Sequence, residues 1–127
     1  MFVNAIPQYI QNLTNAKLDL SSTNITTLYT APSGADFNAS IVSSILVSND
    51  SGSSYTISLT VTNGSDVFSL FQVKAVAANT TVELLTNELV LQAGEILKAT
   101  AATADRLHVV ASIQELAQNR NTTSAGI

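Results

Sequence analysis

Residues 55–62, YTISLTVT, constrain the fold more than any other stretch of the chain. Tyr55, Ile57, Leu59 and Val61 fall on one side of an extended backbone, and Thr56, Ser58, Thr60 and Thr62 fall on the other. A period of two with one apolar set predicts a β-strand with one buried face, and β-branched side chains favour that conformation. A single such strand cannot bury its apolar face, so it demands neighbours in a sheet and a second layer over that sheet. Comparable runs recur roughly every ten residues between residues 25 and 117: ITTLY, SIVSSILVS, VFSLFQVKAV, NTTVELL, ELVLQ, ILKATA and LHVVASIQELA. With the first they make about eight strands. The expected fold is all-β, an antiparallel β-sandwich, jelly-roll-like, over residues 25–117.

Turn chemistry orders these runs. Asn49, Asp50 and Gly52 in NDSGSS suit a turn that needs positive φ, and the runs on either side of it read as a hairpin. NGSD, residues 63–66, gives another hairpin signal and leads into VFSLFQVKAV, which is apolar on both faces. That strand is expected to be covered twice, by the opposite sheet and by a neighbouring subunit. AGE turns the chain into ILKATA, and ATADR connects ILKATA to LHVVASI. Residues 101–118 also admit an amphipathic helix with Leu107, Val110, Ile113 and Leu116 on one stripe, but the alternation in LHVVASI favours a strand.

The ends differ from the middle. Phe2, Val3, Ile6, Tyr9, Ile10 and Leu13 are too apolar for a free tail. Residues 1–24 are therefore expected to form an N-terminal arm packed on a neighbouring protein; a short helix or an extra strand of the same domain is the alternative. Residues 118–127 read as a flexible tail.

Composition narrows the function. Charged residues are 11% of the chain and hydrophobic ones 46%, so the chain is globular with a polar, weakly charged surface. A net charge of −4 with five Lys plus Arg supplies no basic stripe for phosphates, which argues against nucleic acid and anionic membranes as partners. Without cysteine there is no disulfide, no thiolate catalysis and no Cys-based zinc site. No run has the length of a spanning helix or the form of a cleaved signal.

The residues that could carry chemistry are dispersed. His108 is the sole histidine, and a general base needs an orienting partner and a nucleophile or metal in reach. On RLHVVAS it shares the face of Val110 and Ser112, opposite Leu107, Val109 and Ala111, and reads as a half-exposed strand residue. Asp105 and Arg106 beside it read as a solvated surface pair. The acids fall mostly in or near turns, and neither SNDSG nor NGSD has the alternating ligands of a calcium loop. The glycines stand alone, which leaves no phosphate-cradling loop. The N-x-S/T triplets read as a by-product of a chain rich in Asn, Ser and Thr. No catalytic residue, cofactor or metal is expected.

The segments TLYTAPSGADFNASIVSSILVSNDSGSSYTISLTV and ANTTVELLTNELVLQAGEILKATAATADRLHVVAS resemble small β-sandwich virion structural proteins of tailed bacteriophages. The likeness covers residues 25–115 and lies in turns and alternation, without catalytic signature residues. It implies a non-enzymatic virion protein, assembled in the host cytoplasm. The preferred role is a capsid decoration or cement protein bridging capsid subunits; a neck, tail, baseplate or fibre accessory is the alternative, and a carbohydrate-binding receptor module a more distant one. It also implies a homo-oligomer, with a trimer as the expected form, and the major capsid protein or another virion protein as partner. On this reading Phe2, Val3, Ile6, Tyr9 and Ile10 contact the shell, and Phe68, Leu70 and Phe71 contribute to the subunit interface.

Overall fold

The computed structural model describes residues 8–118, which contain nine strands and no helix. In chain order they are β1 (Gln8–Asp19), β2 (Thr26–Thr30), β3 (Phe37–Asn49), β4 (Tyr55–Asn63), β5 (Asp66–Val76), β6 (Thr80–Glu83), β7 (Leu89–Leu91), β8 (Ile96–Ala101) and β9 (Leu107–Gln118). One sheet has the order β1-β9-β3-β6, with β7 also pairing β3; the other has the order β2-β8-β4-β5. Every pairing is antiparallel. The expected β-sandwich is thus the fold.

The core lies between the sheets and follows the strand periods. Ile57 and Leu59 of β4, Leu97, Ala99 and Ala101 of β8, and Leu107, Val109, Ala111 and Ile113 of β9 are sealed from solvent. Each fully buried Leu, Ile or Val contributes roughly 1.5–3 kcal/mol. On β3 the buried set changes parity, from Ser40 and Val42 to Ile45, Val47 and Asn49, because Ser43 is an extra residue opposite β9. The bulge coincides with a gap along β3's other edge: β7 pairs Ser40–Val42, and β6 pairs Leu46–Asn49. Glu83 fills that gap. Its carboxylate accepts the Ile45 N–H at 2.7 Å, the Leu85 N–H at 3.2 Å and the Ser44 hydroxyl. Burial alone would raise the Glu83 pKa; the three donors outweigh it and hold the carboxyl below its ordinary value.

Three expectations change. The segments flanking NDSGSS do not form a hairpin, since β3 and β4 belong to opposite sheets. Buried Asn49 shapes the crossing: its amide donates to the Ser53 and Val76 carbonyls at 2.8 and 2.9 Å, and its carbonyl accepts the Ser51 N–H at 3.0 Å. NGSD does turn β4 into β5. Second, the described part of the stretch expected as an arm contains β1, an edge strand paired with β9 from Gln8↔Gln118 to Asp19↔His108. Ala16 and Leu18 pack on the core, whereas Asn15, Lys17 and Asp19 face out, and β1 covers the β9 edge that β3 leaves open. Residues 107–118 form the strand that the alternation favours. Third, Arg106 makes no ion pair with Asp105; its guanidinium lies 5.6 Å from the Tyr55 ring centroid.

Candidate interaction surface on the β5 edge

β5 closes the second sheet on one side, and its sequence lacks alternation for a geometric reason. Between Thr60↔Ser69 and Ile57↔Lys74 the strand holds two more residues than β4, so it carries two bulges. They let Leu70 and Phe71, adjacent in sequence, both pack against the core. The apolar residues on both faces therefore include a change of phase at the bulges. At the second bulge Val73 has φ 54°, and its N–H donates to the Ser58 hydroxyl at 3.0 Å.

Phe68 pairs with Val61 and has the inward phase, yet it is 56% exposed. Val67 and Val73 are 62% and 64% exposed. Below them a cleft of about 240 Å³ opens between β5 and the β6–β7 connection, lined by Leu70, Phe71, Leu84, Leu85 and Leu89 with a polar rim that includes Asn87 and Glu88. Asp66 and Lys74 bracket the strand with opposite charges.

Of the residues expected at an interface, Phe68, Leu70 and Phe71 thus share one edge, with Phe68 open and the other two half-buried. Tyr9 and Ile10 lie on β1 opposite Ala117 and Leu116. Phe2, Val3 and Ile6 lie outside the described residues. Val67 and Val73 were not singled out in the sequence; the irregular alternation of VFSLFQVKAV is the signal that marks them.

His108 faces outward from β9, as its strand phase predicts. Its Nδ1 lies 3.2 Å from Asp19 Oδ1 and its Nε2 3.9 Å from Asp50 Oδ2, with all three side chains substantially exposed. Among the described residues no group of three His, Cys, Asp or Glu is placed to hold a metal ion.

A second polar cluster escaped the sequence reading. The Tyr29 hydroxyl of β2 donates to Glu115 Oε2 of β9 at 2.5 Å and lies 2.7 Å from Ser40 Oγ of β3. Asn12 of β1 donates to the other Glu115 oxygen at 3.2 Å. Burial first, then the neighbouring carboxylate, pushes the Tyr29 hydroxyl far above its ordinary pKa, so it stays protonated and donates. The cluster ties the two sheets together at one end. Its members are separated by 11 and 86 residues in the chain, and no local pattern announces them.

No family model matches the chain, and no curated protein matches it. Two crystal structures of a pentameric capsid protein isolated from metagenomic phage sequences are similar to it, each at 20% identity and a TM-score of 0.49 over 87% of this chain. The chain covers 63% of one and 66% of the other, less than two thirds of either.

Proposed function

We propose that this chain is a non-enzymatic structural protein of a phage virion, acting as a capsid decoration or cement protein. The observation that carries the reading is the open apolar edge formed by Val67, Phe68 and Val73 beside the leucine-lined cleft. A cluster of exposed apolar side chains beside an apolar cleft supports an interaction surface here. The strand order supports it by analogy of architecture: β1-β9-β3-β6 over β2-β8-β4-β5, with β6 and β7 sharing one position, is the order of a jelly roll, an arrangement used by viral capsid and lectin domains. The resemblance in residues 25–115 points the same way.

The mechanism is adhesion. Copies bound across neighbouring capsid subunits favour the assembled shell by mass action, because they bind it and not its dissociated parts. A homo-oligomer multiplies weak contacts into avidity. The resemblance implies a trimer, whereas the two similar capsid proteins are named as pentameric. The shell contact is assigned to Phe2, Val3, Ile6, Tyr9 and Ile10, of which Tyr9 and Ile10 lie on β1 and the other three outside the described residues.

The test is the copy number of this chain relative to the major capsid protein in purified particles, by quantitative mass spectrometry. A simple stoichiometric ratio is expected. A small minority ratio moves the protein to the neck, tail or baseplate, and absence from particles removes the virion reading. Saturable binding of host-surface glycans by the purified protein would favour the receptor module instead.

A further inference from the structure

Val73 is a β-branched residue in left-handed backbone, where Gly or Asn is the unstrained choice. Its side chain is 64% exposed, so packing within the chain does not explain why valine stands there. The bulge uses this backbone conformation but does not require a valine in it, so an exposed apolar side chain there points to a contact made outside the chain. Val67, 62% exposed, is the other apolar residue of the same phase: it lies opposite Thr62, as Val73 lies beside Ser58. Asp66, opposite Asn63, and Lys74, opposite Ile57, share the alternate phase. Neither charge is in an ion pair among the described residues.

These four residues are arranged symmetrically about Leu70. If two β5 edges lie side by side and antiparallel about a two-fold axis, each Asp66 meets a lysine and each Val67 meets a valine, in the same phase. We infer that two copies of this chain pair through β5 in this way, Val67 against the partner's Val73 and Asp66 against the partner's Lys74. The inference rests on the self-association in the reading above, with a two-fold dimer in place of the trimer that the resemblance implies, and names its contact. An isologous contact of this kind needs a patch complementary to itself, and charges of opposite sign at the two ends supply it. The bulges at 70–73 interrupt a backbone ladder between the edges, so side chains carry the contact.

Sedimentation equilibrium and native mass spectrometry of the full chain test this, with thermal unfolding of every variant as the control for folding. The wild type is expected to dimerise. Val73→Asn should leave the unfolding temperature unchanged or raised, because it relieves the backbone, while abolishing the dimer. Asp66→Lys or Lys74→Asp alone should weaken dimerisation about tenfold or more by creating like-charged pairs. The double variant D66K/K74D should restore it, and so should mixing the two single variants. A wild type that remains monomeric at every concentration overturns the inference. So does a trimer or pentamer, or a dimer indifferent to these substitutions. Particle copy number is independent of these results, so failure here is distinguishable from failure of the virion reading.

Discussion

Replacing Glu83 removes a carboxylate that stands in for a missing strand. In Glu83→Ala the Ile45 N–H loses its acceptor at 2.7 Å, and the Leu85 N–H and the Ser44 hydroxyl lose theirs. A hydrogen bond to a charged group contributes about 1.5–3 kcal/mol, and a buried donor left unpaired costs about 1–3 kcal/mol. Glu83 itself is exposed, and water can replace it at Ser44 and Leu85, so the discounted loss is about 2 kcal/mol, mostly from Ile45. For a chain of this size that lowers the unfolding temperature by roughly 7 °C. Glu83→Gln keeps one acceptor and should lose about half as much. The pH dependence follows from the direction of the shift. A carboxyl held below its ordinary value stabilises the fold above that value, and the contribution is lost as pH falls below 4.5 through the lower folded value. Thermal unfolding monitored by circular dichroism at neutral pH and through this acid range is the assay. The difference between wild type and E83A should shrink as pH drops. Equal unfolding temperatures at neutral pH, or a difference that persists undiminished well below the window, would refute the role assigned to the carboxylate.

Tyr29→Phe removes the hydroxyl that links β2 to β3 and β9, and should cost about 1–2 kcal/mol in denaturant unfolding with an unchanged m-value. Asn49→Asp turns the amide donor into an acceptor facing the Ser53 and Val76 carbonyls; chemical denaturation should show a loss of about 3 kcal/mol or more at neutral pH. His108→Ala, by contrast, should change stability by no more than about 0.5 kcal/mol at neutral pH, since its carboxylate contacts are solvent-exposed. Asp105 has φ 64°, so Asp105→Gly should be neutral or slightly stabilising in the same measurement.

What could be read from the sequence was local. YTISLTVT alternates without interruption, and Ile57 and Leu59 are fully buried as its period requires. The outward face of His108 follows from counting along LHVVASI. The crossing at Asn49 was not readable, because Asn-Asp-Ser-Gly suits both a hairpin and a step to the opposite sheet. Which of them forms depends on the position of Val76, the acceptor of the Asn49 amide 27 residues away. β1 was obscured by Asn, Lys and Asp, which disfavour strands; it forms because β9 has an unpaired edge.

VFSLFQVKAV lies between these cases. Its broken alternation was visible, but two physical situations break alternation: a strand buried on both faces, and a bulged strand at an edge. The first leaves the outward Val67 and Val73 to a neighbouring subunit. The second turns Leu70 and Phe71 inward in succession, and this change of phase is observed; the two are compatible, since Val67 and Val73 stay open to a partner. A bulged edge ordinarily protects a sheet from pairing with another chain. Here the protected backbone carries apolar side chains, so recognition at this edge passes from the backbone, which any exposed strand can match, to side chains that only a complementary surface can match.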